Sequence, residues 1–134
     1  MKYSECKTEQ PFKMEWIRRH KKEYVAVFPI ETEETVKGFP DVLAIHKIDW
    51  NTQQVPYLLE FKRARRGFIE FQPTQPAFYK ANPELFIYVV SLVEYETKLY
   101  IVSLPASKVL QGLKGKLRLD VRPYCNEDNE VRED

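Results

Sequence analysis

Hydrophobic and polar positions along this chain fall into short blocks, and the period of each block predicts an element. Phe12, Trp16 and Ile17, with Met14 less aligned, keep a helical spacing through about His20. Thr8 supplies a polar cap before Glu9 and Gln10, with Pro11 in the first turn. The β-branched and aromatic run YVAVFPI, residues 24–30, predicts a first strand, and the acidic ETEETVKG after it a loop ended by Gly38. Residues 41–49, DVLAIHKID, and 55–63, VPYLLEFKR, predict two more strands, and the WNTQQ between them favours a hairpin. A connection from Gly67 to Pro73 contains the strand-like piece FIEF. A helix is expected over residues 74–82, strands over 85–92 and 99–104, and an amphipathic helix over 107–115. The acidic tail from about residue 121 is expected to fray. With no repeat and no interdomain linker, residues 1–134 read as one domain of order α-β-β-β-α-β-β-α. That order predicts an α/β or α+β domain around one central mixed sheet flanked by helices.

Composition sharpens this in three ways. A chain of 134 residues, 43% hydrophobic and 13% aromatic, can bury a real core and is not disordered. The net charge of +1 leaves no global polycationic signature, so nucleic-acid binding needs a local patch. Residues 62–66, KRARR, are that patch, with Arg63, Arg65 and Arg66 as candidate phosphate contacts. Cys6 and Cys125 lie near opposite ends without metal-ligand spacing and read as reduced thiols. No stretch reads as a signal peptide or a membrane span, which points to a soluble cytoplasmic protein. Two histidines and no CxxC leave zinc without ligands, and four glycines are too few for a phosphate-cradling loop. Phe68 and Phe71 are expected in the core.

The chemistry concentrates in YLLEFKRARR, residues 57–66. A strand places residues i and i+2 on one face, so Glu60 and Lys62 project together, opposite Tyr57, Leu59 and Phe61. Buried charge is costly unless it is paired or binds an ion. With a four-residue loop at residues 50–53, Asp41 faces Lys62 and Glu60 becomes its diagonal neighbour, about 7–8 Å away between Cβ atoms. A shorter or longer loop moves the register by whole pairs and keeps all three side chains on one face. Two carboxylates and a backbone carbonyl make a hard oxygen site suited to Mg²⁺ or Mn²⁺.

Gly38-Phe39-Pro40-Asp41, 18 intervening residues, then Glu60-Phe61-Lys62 resembles the PD-(D/E)xK nuclease superfamily. The predicted order is similar to that family's restriction-endonuclease-like αβββαβ core over roughly residues 8–104. Gln75-Pro76-Ala77-Phe78-Tyr79 resembles the QxxxY pattern of its RecB-like and lambda-exonuclease-like branches. The size is similar to Holliday junction resolvases and to small phage or VRR-type nucleases. The resemblance implies a Mg²⁺- or Mn²⁺-dependent DNA nuclease, structure- or end-selective, acting in recombination, repair or phage DNA processing. It implies Asp41, Glu60 and the Phe61 carbonyl as metal ligands and Lys62 as the catalytic lysine. Gln75 would steady the attacking water or the lysine, and Tyr79 would face the scissile strand. A first-helix Glu often joins the metal in this family. Glu9 fits that place, with Glu15 as the alternative, although a helix dipole also explains Glu9. A homodimer or an accessory protein supplying specificity is expected as partner besides DNA. The rival reading is a catalytically inactive nuclease-fold domain that binds nucleic acid or protein.

Overall fold

The structure, a computed structural model, describes residues 1–30, 38–46, 56–113 and 117–133. Helix α1 (Glu9–His20) follows an extended Thr8, as the cap reading requires, though the Thr8 side chain makes no capping bond. Strands β1 (Tyr24–Pro29), β2 (Val42–His46) and β3 (Pro56–Arg65) run antiparallel in that order. A short β4 (Phe68–Glu70) turns back beside the far end of β3. Helix α2 (Thr74–Ala81) then carries the chain over to β5 (Ile87–Tyr95), which pairs with β3 in parallel. The antiparallel β6 (Lys98–Pro105), helix α3 (Ala106–Leu113) and β7 (Arg118–Asp120) complete the order. The described residues thus form a mixed α+β domain whose central mixed sheet is flanked by helices. The predicted αβββαβ order is present, with β4 added between β3 and α2.

Strand β3 is central because both its faces are covered: Leu58 through Lys62 are all buried. Leu59 and Phe61 face α1, where the Phe12 and Trp16 rings, one helical turn apart, meet Phe61 at 5.6 and 5.3 Å. Burying side chains of this size contributes about 1.5–3 kcal/mol each. Leu58 and Ala64 face the other way, into a core shared with Tyr79 of α2 and Val109 of α3. Glu60 and Lys62 lie between those two residues and so point into the α2 side of the sheet.

Several expectations need correction. Val42 pairs with Leu59 and Leu43 with Leu58, a register two residues away from the one expected. Continued by one residue, it sets Asp41 opposite Glu60 rather than Lys62. The expected loop at residues 50–53, like the acidic loop at 31–37, lies outside the described residues. Strand β3 runs on to Arg65, and Arg66 and Gly67, both at positive φ (58° and 79°), form the turn into β4. Strand β7 went unread in the sequence and pairs with β4 through Phe68 and Asp120.

The tail expected to fray makes contacts with the body of the domain. Val121 is fully buried, and the Val131 N–H donates to the Leu99 carbonyl at 2.8 Å. Glu133 accepts from the Tyr3 and Ser4 N–H groups at 2.7 and 3.3 Å and pairs with Arg19 at 2.9 Å. Glu130 and Glu133 are matched to Lys98 and Arg19 on the body of the domain, which composition alone does not reveal. Both cysteines are free, Cys6 buried and Cys125 partly so. No described helix is long and apolar enough to cross a membrane.

Candidate active site

The site forms where β2 starts, where β3 crosses the sheet centre, and where α2 covers them. Gly38 opens the approach: its φ is 87°, and a Cβ there would stand 2.1 Å from the Thr74 carbonyl oxygen. Only glycine lets the loop pass so close to α2. Phe39 then packs edge-on against Phe78 at 5.2 Å, and the Asp41 carbonyl accepts from the Ile30 N–H at 2.7 Å. Asp41 is thereby fixed at the mouth of β2.

One Asp41 carboxylate oxygen accepts from the Phe61 N–H at 3.2 Å. In a strand, the N–H and C=O of one residue face the same neighbour. The Phe61 carbonyl therefore opens toward the Asp41 side too. Glu60 is only 2% exposed, and its Oε1 has no hydrogen-bond partner among the described residues. Burial first, then the neighbouring Asp41 carboxylate, push its carboxyl up to about 9, against the opposing pull of Lys62. Two acids sharing a dry corner with an unpartnered oxygen fit a divalent cation. They would hold it together with the Phe61 carbonyl. Among the described residues no three Asp, Glu, His or Cys side chains gather as a metal cage.

Lys62 is 6% exposed and donates from Nζ to Gln75 Oε1 at 2.8 Å, while the Phe71 ring lies 5.0 Å away. The same Gln75 oxygen accepts from the Gln72 N–H at 2.9 Å. Gln75 thus ties the Lys62 ammonium to the main chain ahead of α2. Glu9, at the start of α1, is exposed beside this group. Desolvation raises its carboxyl, Lys62 draws it down and Asp41 raises it, so it lies within reach of the site's charges.

Other expected residues are placed elsewhere. Glu15 is bonded by Arg18 and by Arg19 (2.7 Å), with the N-terminal amine at 3.6 Å. Those bonds, Arg18's first, hold it down to about 2. It belongs to an ion cluster, apart from Asp41 and Glu60. Arg63, whose side chain is 5% exposed, donates to the Cys6 and Ala64 carbonyls at 2.9 Å and pairs with Glu94 at 3.1 Å. Its face of β3 lies under the segment leading into α1, so its guanidinium is not free for phosphate. Tyr79 is 2% exposed, with an unpartnered hydroxyl, and burial and then Glu60 raise its phenol. It lies behind the carboxylates and not on an open wall. Arg65 and Arg66 are exposed. Phe71 is core, as expected, but Phe68 is only half-buried and carries the Arg118 guanidinium 3.9 Å above its ring.

In front of Lys62 opens a groove of about 720 Å³, bounded by Lys7 to Gln10 on one side and by Arg65, Phe68 and Arg118 on the other. Sequence reasoning missed Lys7 and Arg118, which lie far from KRARR along the chain and join it only through the pairing of β4 with β7 and the placement of α1.

No protein family model matches the chain, and no curated protein sequence does. Among solved structures, the chain is similar to Hjc, a Holliday junction resolvase from the archaeal hyperthermophile Archaeoglobus fulgidus. The TM-score is 0.48 at 11% identity, covering 72% of this chain and 76% of that one. At that distance the likeness is one of outline.

Proposed function

We propose that this chain is a divalent-metal-dependent DNA nuclease of the PD-(D/E)xK type, hydrolysing phosphodiester bonds with Asp41, Glu60 and Lys62. The observation that carries the reading is the buried Glu60, with an unpartnered oxygen, set beside Asp41 and two residues from a lysine held by Gln75. Pairs of carboxylates kept close in a dry site are costly to the fold and call for a ligand or a reaction. The local motif supports the same reading, since Gly38 and Pro40 serve to place Asp41 and Gln75 serves to place Lys62.

Asp41, Glu60 and the Phe61 carbonyl would hold Mg²⁺ or Mn²⁺. When bound, that ion polarises a phosphoryl oxygen and lowers the pKa of a water. Lys62 brings a positive charge, oriented beforehand by Gln75, to the negative charge that builds on the phosphate in the transition state. Glu9 can accept a hydrogen bond from water at the groove's edge. Arg65 and Arg66, exposed at the end of the β3–β4 hairpin, would contact phosphates without reading bases. DNA is the substrate, and a second copy or an accessory protein would extend so small a footprint.

The test is a panel of linear, circular, single-stranded and four-way-junction DNAs incubated with Mn²⁺, and in parallel with EDTA. Cleavage of at least one member, abolished by EDTA, is expected. Binding to DNA with no cleavage of any member would instead make this an inactive nuclease-fold module.

A further inference from the structure

We infer that the groove in front of Lys62 receives one unpaired strand of DNA. In it, Lys7, Arg65 and Arg118 hold the phosphates, and the Arg118 guanidinium, stacked on Phe68, offers its plane to a base. The inference rests on the nuclease reading for the identity of the polymer and goes beyond it in naming the form of substrate.

Access is the first argument. Lys62 is almost fully buried yet lines the groove, so the groove offers a phosphodiester a way in to it. About 720 Å³ lies within the range of sites that enclose small ligands. A volume of that order suits a single backbone with splayed bases better than a whole duplex, whose major groove alone is about 12 Å wide.

Charge is the second. Among the described residues Lys7, Arg65 and Arg118 make no ion pair and no side-chain hydrogen bond, although all three line the groove. The carboxylates on the same walls, Glu9 and Glu70, pair with none of them. Free cations along a cleft are what a phosphate backbone neutralises.

The stacked arginine is the third. The Arg118 Cζ lies 3.9 Å from the centre of the Phe68 ring. Arg122 also approaches that ring, at 4.8 Å, but its Nε and Nη2 are held by Asp120 at 2.9 and 2.8 Å. Arg118 alone keeps both its plane and its donors available. Aromatic and guanidinium planes on a basic track are the means by which unpaired strands are bound without sequence preference.

Binding is measured in EDTA, where nothing is cut, with a short labelled oligonucleotide and with a blunt duplex of the same sequence, across a salt series. The single strand should bind at least about tenfold tighter than the duplex. Arg118→Ala should weaken single-strand binding about tenfold, within the range of one lost base stack. Arg118→Lys should keep the salt slope while recovering only part of the affinity. Lys7→Ala and Arg65→Ala should each flatten the slope by about 0.7. All three side chains are exposed, so these variants fold. Equal affinity for duplex and single strand, or wild-type affinity and slope in all the variants, would overturn the assignment. The two readings fail separately. Single-strand preference without any Mn²⁺-dependent cleavage sinks the nuclease and keeps the groove. Duplex cleavage as fast as single-strand cleavage, unchanged by Arg118→Ala, sinks the groove and keeps the nuclease.

Discussion

Asp41→Ala, Glu60→Gln and Lys62→Met should each lower Mn²⁺-dependent DNA cleavage by about 10²–10³-fold or more while the protein stays folded. That is the loss typical of removing one preorganised charge from a transition state. Asp41 sits at the mouth of β2, where its removal leaves only the Phe61 N–H without its side-chain acceptor. Lys62→Met keeps the long apolar stem that packs near Phe71, and Gln75 retains its bond from the Gln72 N–H, so no buried acceptor is orphaned. Gln75→Ala should cost less, because it frees Lys62 without removing its charge. Circular dichroism establishes the fold and single-turnover cleavage the rate. Folded Asp41→Ala and Lys62→Met proteins that cut at the wild-type rate would remove these residues from the chemistry.

Glu60→Gln should stabilise the metal-free protein at neutral pH by about 1–3 kcal/mol even as it abolishes activity. The cause is the carboxyl's raised folded pKa. A carboxyl that titrates at about 9 in the fold and near 4.5 in the unfolded chain binds a proton more tightly when folded. Its contribution to stability is fully present below about pH 4.5 and is lost as pH rises through about 9. The amide imitates the protonated form at every pH. Wild type and variant should therefore melt alike near pH 4.5 and draw apart toward pH 9, followed by urea titration in EDTA. A constant difference across that window would mean that Glu60 is not the strained group described. Added Mn²⁺ should reverse the order, stabilising wild type by mass action and leaving the variant nearly unmoved.

The common face of Glu60 and Lys62 was legible because a strand's period of two fixes it whatever the register. The register itself was not, since it depends on the connection between β2 and β3; a shift by whole pairs changed Asp41's neighbour from Lys62 to Glu60 and left its face alone. Arg63 shows the opposite limit. Strand alternation puts it on the face away from Lys62, but only tertiary packing revealed that the segment before α1 covers that face and occupies its guanidinium. Gln75 and Gly38 were legible as motif residues, and their work on Lys62 and against Thr74 needed the fold. The three residues of β7 carry too short an alternation to read, so Arg118 and its stack on Phe68 stayed hidden. The tail misled through its charge: Glu133, which looks solvated in sequence, is bonded to Arg19 and two backbone N–H groups, and Glu130 to Lys98.

The central claim is that Asp41 and Glu60 jointly hold a divalent cation beside Lys62, and calorimetric titration with Mn²⁺ tests it most directly. Wild type should bind, and Asp41→Ala and Glu60→Gln should bind at least about tenfold more weakly for want of one carboxylate. Lys62→Met should bind equally or more tightly, because removing a nearby positive charge cannot reduce the attraction for a cation. No Mn²⁺ binding by wild type, or weaker binding by Lys62→Met than by the carboxylate variants, would contradict the account.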